Sequence, residues 1–191
     1  PSVSLIRLRQ IAQYGENSGQ LPPMRSNCTL LRHMAARGGT GTTPQGRVEE
    51  RMDIRQITLD YSVAPQIEAE DFPALREAGF TDVICNRPDD EIGPDQQSER
   101  MRVAATEAGL SFHFNPVTNG GLTRGNLTDQ AGVLADATGP VLAYCRSGTR
   151  STIVWALSQA GNLAADDMIG AAFRAGYDIS GLRPQLESPQ D

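Results

Sequence analysis

Cys145-Arg146-Ser147-Gly148-Thr149-Arg150-Ser151 is the stretch of this chain whose residue types and spacing could do chemistry. A short apolar run, Val141-Leu142-Ala143-Tyr144, reads as a buried strand before it, and Ile153-Val154-Trp155-Ala156-Leu157 opens a helical pattern after it. The thiol therefore sits where strand gives way to helix. A helix N-terminus presents unpaired backbone N–H groups and about half a unit of positive charge, which together favour a bound anion or a thiolate. With Arg146 and Arg150 adding fixed positive charge, the cysteine pKa is expected to fall from about 8.5 to below about 7, leaving Cys145 largely thiolate at neutral pH. Gly148 lets the backbone turn tightly enough to point loop N–H groups inward. The stretch reads as an oxyanion cradle with a nucleophile at its base. The alternative is a small buried hydrophobe that ends a strand.

The rest of the chain has to hold that loop. Ile54 and Ile57, then Tyr61 and Val63, suggest two short strands, followed by a helix from about Glu68 to Ala78 that Gly79 stops. Thr81 to Asn86 reads as a buried strand and Arg87-Pro88-Asp89-Asp90-Glu91 as an exposed turn. Pro94 is expected to start a helix carrying Met101, Ala104, Ala105 and Ala108 inward until Gly109. Ser111 to Val117 is the next strand, and a helix bearing Leu127, Ala131 and Leu134 follows the polar loop at Thr118. The last helix begins at Asp166 and Asp167 and runs to Gly176. This alternation predicts an α/β fold of three layers, with a short, mostly parallel sheet flanked by helices. Ligands of such sheets bind at the carboxyl ends of the strands, so Cys85, Asn86, Arg87, Thr118 and Cys145 are expected on one rim.

Composition narrows the function classes. The 191 residues are 39% apolar, enough for one domain with a real core, and no run reaches the 18 or so apolar residues of a membrane span. Arginine is the only basic residue besides histidine; residues 1–51 carry seven arginines against three acids, and residues 52–191 ten against twenty. An acidic main body argues against nucleic acid as partner. Cys28, Cys85 and Cys145 are too few and too scattered for a disulfide framework, which fits a reducing, cytoplasmic setting. With His33 and His113 the only histidines, no metal and no cofactor are expected. Residues 1–51, with Gly38-Gly39-Thr40-Gly41-Thr42-Thr43-Pro44 at linker composition, are expected to be a disordered or non-native extension, or a transit peptide, ahead of a domain at 52–191.

Met52-Asp53-Ile54-Arg55-Gln56, Asn86-Arg87-Pro88-Asp89, Asn115-Pro116-Val117-Thr118 and Ala143-Tyr144-Cys145-Arg146-Ser147-Gly148-Thr149-Arg150-Ser151 give about three quarters of the chain a resemblance to a bacterial family. This family, formerly a domain of unknown function, is described as beta-lactamase-hydrolase-like phosphatase or sulfur transferase. The resemblance implies a fold like that of dual-specificity tyrosine phosphatases, with Cys145 as nucleophile and the loop to Arg150 as the phosphate-loop counterpart. The family also includes fusions to a metallo-hydrolase-like sulfur dioxygenase. No clustered histidines for such a domain occur here, so any such partner is expected to be a separate protein.

The loop departs from the phosphatase pattern. Such phosphatases carry His before the nucleophile and five residues between Cys and Arg; here Tyr144 precedes Cys145 and four residues separate it from Arg150. They also supply an aspartic acid for the leaving oxygen, whereas Asn115 to Thr123 holds no carboxylate. The loop instead looks like that of single-domain rhodaneses. The first expectation is therefore a sulfurtransferase, in which Cys145 takes sulfane sulfur from thiosulfate or a low-molecular-weight persulfide and passes it to a thiol acceptor. Arg146 and Arg150 would hold the donor's anionic group; Thr149 and Ser151 would donate to the thiolate, or Ser151 would cap the helix. The second expectation is a cysteine-dependent phosphatase, borrowing an acid such as Asp89 or Asp90. The third is a catalytically silent module that binds an anion or a partner.

Four other residues have weaker claims. Cys85 could resolve an oxidised Cys145 but reads as core. Arg87 would steer anions or pair with Asp89 and Asp90, His113 reads as structural, and Trp155 as a core anchor.

Overall fold

The computed structural model describes residues 52–188, so the readings made for residues 1–51 lie outside the described residues. Five four-residue strands form one mixed sheet: β1 (Arg55–Thr58), β2 (Tyr61–Ala64), β3 (Asp82–Cys85), β4 (Ser111–Phe114) and β5 (Val141–Tyr144), in the order β1-β2-β5-β3-β4. Only β1 runs antiparallel to its neighbour; β2, β5, β3 and β4 are parallel. All residues of β2, β3 and β5 are buried, which is why they read as apolar runs rather than alternating ones.

The register aligns Ala64, Tyr144, Cys85 and Phe114 in one row across the sheet. The carboxyl ends of the four parallel strands therefore open onto one rim, as the strand-helix alternation predicted. Alternation of side chains then divides the core in two. Ala64, Cys85, Leu142 and Tyr144 pack against Phe72 and Leu75 of α1 (Phe72–Glu77) and Met101 and Ala105 of α2 (Ser98–Glu107). On the other face Val63, Ile84 and Ala143 meet residues of α3 (Arg124–Asp136), α4 (Thr149–Ser158), α5 (Ala165–Arg174) and α6 (Arg183–Glu187), with Trp155, Met168 and Ala172 at the centre. Three layers result.

Element boundaries differ from expectation where polar side chains intervene. The helix expected from Glu68 opens as a 3-10 turn, Ala69–Asp71, whose Asp71 carboxylate takes the Glu68 N–H at 2.9 Å before α1 proper begins at Phe72. Pro94 does not start α2. It opens a separate 3-10 turn, and the Asp89 carboxylate accepts both the N–H and the hydroxyl of Ser98 at 2.7 Å, setting the first turn of α2 four residues later. Strand β4 ends at Phe114 rather than Val117, although the N–H groups of Asn115 and Val117 still donate to the Cys85 and Asn86 carbonyls.

Candidate active site

Cys145 follows β5 directly, and its N–H still donates to Ala64 of β2. Gly148, three residues on, has φ of 86° and forms the N-cap of α4. That left-handed conformation suits glycine, and it folds the loop back so that the Gly148 N–H donates to Cys145 Sγ at 3.2 Å. The sulfur thus accepts a backbone hydrogen bond at the start of a ten-residue helix, an arrangement that stabilises negative charge on it. Cys145 is 1% exposed, so its sulfur lies at the floor of the loop.

Two sets of contacts hold this floor. From beyond α5, the Tyr177 hydroxyl donates to the Ser147 carbonyl at 3.2 Å, and a Cβ at Gly148 would run into that hydroxyl. Arg55 of β1 lies over the Tyr177 ring, 5.2 Å from its centre, and burial pushes the phenol pKa up. From below, a buried polar chain links four elements. Asn86 Nδ2 donates to Gln130 Oε1 at 3.3 Å, Gln130 Nε2 to the Tyr61 hydroxyl at 2.9 Å, and that hydroxyl to the Ser151 carbonyl at 3.0 Å. Asn115 Nδ2 joins at Gln130 Oε1, and Trp155 stacks on Tyr61 at 5.8 Å. Buried amides tolerate such depth only when paired, so the chain ties the β3 rim to α3, β2 and α4.

Arg150 is 14% exposed along its side chain. Its Nη2 meets Glu91 Oε1 at 3.0 Å and Asn119 Oδ1 at 3.1 Å, and its Nη1 donates to the Asn86 carbonyl at 3.3 Å. Arg87 does not pair with Asp89 or Asp90. It donates to Gln66 Oε1 and to the Glu91 carbonyl at 3.0 Å each, and its Nε lies 3.7 Å from the Glu91 carboxylate. Arg87, Glu91, Asn119, Arg146 and Arg150 together line a pocket of about 570 Å³.

The remaining sequence-predicted residues fall into place around this pocket. Asn86 is fully buried and acts as a strut of the polar chain. Thr118 is exposed and outside the pocket lining; its neighbour Asn119 lines the pocket instead. Ser147 donates to Thr149 Oγ1 at 3.2 Å. Ser151 is the third residue of α4, not its cap, and its buried Oγ has no hydrogen-bond partner in the structure. Asp89 is occupied in capping α2 and Asp90 is exposed, and neither lines the pocket.

Cys85 belongs to the α1–α2 face, beside Leu142 and Tyr144. Burial raises its pKa to about 11, and its Sγ donates to the Arg87 carbonyl at 3.3 Å, so it is a protonated core thiol. Tyr144 occupies the position before Cys145, yet points into the same core; burial pushes its phenol pKa upward too. His113 pairs with Asp82 at 2.9 Å on the edge strand, away from the pocket. Among the described residues no group of three His, Cys, Asp or Glu could hold a metal, and no helix is long and apolar enough to cross a membrane.

Residues 53–162 match the family described as beta-lactamase hydrolase-like protein, phosphatase-like domain. A beta-lactamase hydrolase-like protein of Agrobacterium fabrum is 30% identical over 138 residues, 71% of this chain and 32% of the relative. The chain spans about a third of the length of the curated relatives it matches. Among solved structures, a phosphatase candidate from Neisseria meningitidis superposes with a TM-score of 0.63 at 28% identity, covering 73% of this chain and 99% of that one. Kinase associated phosphatase, with its catalytic-site cysteine substituted by serine, shares the fold at a TM-score of 0.56 and 15% identity, covering 71% and 92%.

Proposed function

Because this chain belongs to the family of phosphatase-like domains of beta-lactamase hydrolase-like proteins, we propose that it is a cysteine-dependent phosphatase with Cys145 as nucleophile. The observation that carries this reading is the Gly148 N–H on Cys145 Sγ at the mouth of α4, with Arg150 in the helix's first turn. It reverses the order of the first two expectations, since the family and the likeness to the Neisseria protein, over 73% of this chain, both favour a phosphatase.

The Cys145 thiolate attacks phosphorus in line, and the bond from phosphorus to the leaving oxygen breaks. Arg150 turns from Glu91 to the phosphoryl oxygens, while loop N–H groups share the developing charge. With Asn119 where a carboxylic acid would serve, the leaving oxygen takes its proton from water. A missing general acid forgoes on the order of a hundredfold in rate, so substrates with good leaving groups suit the site. Water then attacks the phosphocysteine, releasing inorganic phosphate and returning the thiolate.

Sulfur transfer is the second reading, favoured by the four-residue spacing from Cys145 to Arg150 and the carboxylate-free segment from Asn115 to Thr123. In that reaction Cys145 attacks the sulfane sulfur of thiosulfate, sulfite departs with the electron pair of the S–S bond, and a thiol acceptor takes sulfur from the persulfide. The donor and acceptor are then small molecules.

Purified protein assayed with an aryl phosphate and with thiosulfate plus cyanide, beside Cys145→Ser, tests the ranking. Phosphate release lost in the variant supports the phosphatase. Thiocyanate formation without phosphate release would reverse the order.

A further inference from the structure

The five residues around the pocket are three arginines, one glutamate and one asparagine, so no apolar side chain forms a wall. An aromatic leaving group gains little from such a lining, because ring burial is rewarded by apolar contact. The charge of the lining is equally unusual for this chain. In a body with twice as many acids as arginines, three of its ten arginines converge on one concavity. The Glu91 carboxylate already bridges two of them, 3.0 Å from Arg150 and 3.7 Å from Arg87, which shows that an anionic group fits between these guanidinium groups.

Resting on the phosphatase reading, we propose that the substrate is a small polar molecule with a second anionic group beside the phosphoryl that Cys145 attacks: an organic bisphosphate or a pyrophosphate. Arg150, next to the loop amides, takes the reacting phosphoryl. Arg87 and Arg146 meet the second group from the two sides of the pocket. Arg87 is preorganised for this, since Gln66 and the Glu91 carbonyl fix its Nη atoms while its buried Nε has no hydrogen-bond partner in the structure. Arg146 is exposed and reaches the pocket from the loop itself. Planar guanidinium groups held on two rims recognise paired anions better than a single mobile charge does.

Calorimetric titration of the full chain carrying Cys145→Ser tests this, with inorganic phosphate, phosphotyrosine, inorganic pyrophosphate and fructose 1,6-bisphosphate as probes. At least one two-phosphate probe is expected to bind about tenfold or more tighter than phosphate and phosphotyrosine, and which one distinguishes pyrophosphate from bisphosphate chemistry. Adding Arg146→Gln is expected to reduce that margin to about threefold or less, and Arg87→Lys provides a second variant that keeps the charge but not the fork. Equal binding of all four probes, or tightest binding of phosphotyrosine, overturns the proposal. Failure of the phosphatase reading looks different: wild-type protein that binds with the expected margin but hydrolyses no phosphate ester keeps the ligand class and removes the reaction.

Discussion

Arg150 Nη2 stands 3.0 Å from Glu91 Oε1, an ion pair between residues 59 apart in the chain that joins the first turn of α4 to the segment after β3. The guanidinium that should receive the phosphoryl group is thus already engaged by an internal carboxylate. Glu91→Gln keeps a hydrogen-bond acceptor there while removing the charge. Inorganic phosphate is expected to bind the Cys145→Ser/Glu91→Gln protein more tightly than Cys145→Ser alone by about fivefold, the equivalent of roughly 1 kcal/mol for a partly exposed pair. Unchanged or weaker phosphate binding in calorimetry would mean that Glu91 chiefly orients Arg150.

Asn119 Oδ1 also accepts from Arg150, at 3.1 Å, so an aspartate at 119 would sit within the pocket. Asn119→Asp is expected to raise kcat for alkyl phosphates by up to about a hundredfold at mildly acidic pH, where the new carboxyl is partly protonated, and to change aryl phosphates much less. Leaving-group series measured on both proteins decide the point. Equal gains for both classes would argue against proton donation.

Gly148→Ala sets a β-carbon against the Tyr177 hydroxyl at a φ of 86°. The left-handed conformation alone costs about 1–2 kcal/mol, and displacing Tyr177 adds to it. Tyr177→Phe removes only the bond to Ser147, costing about 1 kcal/mol. Urea unfolding is expected to rank wild type above Tyr177→Phe above Gly148→Ala, with kcat/KM falling in the same order.

Gln130→Leu would leave Asn86 and Asn115 amides without their shared acceptor and Tyr61 without its donor. Unsatisfied buried groups of this kind cost about 1–3 kcal/mol each before relaxation. Thermal unfolding is the measurement, and a loss smaller than that of Tyr177→Phe would show the chain to be dispensable.

Cys85 links stability to pH. Its folded pKa is raised from 9.0 to about 11, so the folded state keeps a proton that the unfolded state gives up in that interval. Its contribution to stability is therefore complete below pH 9 and is lost as pH climbs to about 11. Cys85→Ala is expected to show a shallower stability loss across that window. Alkylation mapped by mass spectrometry should leave Cys85 unmodified at neutral pH in the folded protein.

Much of the sheet, and the loop that carries Cys145 between strand and helix, were legible in the sequence, because strand length, apolar runs and the Cys145–Ser151 spacing are local properties. The pocket was not. Glu91 reaches Arg150 only through the pairing of β3 with β5, and read alone it belongs to an acidic turn in which Asp89 and Asp90 look equally suitable. Thr118 rather than Asn119 was expected on the rim because a one-residue offset in a glycine-rich loop leaves no periodic trace. Tyr177 lies 30 residues beyond Ser147, past two helices, and no pattern near either residue signals the contact.

The stacking of Arg55 on Tyr177 gives the outermost strand a reach beyond its own hydrogen bonds. Ser147 hangs from the tyrosine and the tyrosine carries the arginine, so peeling β1 off the sheet, by tension, truncation or a competing strand, would slacken the Cys145 loop from a distance. Tolerance of changes at this edge would then be governed by the Cys145 end of the molecule.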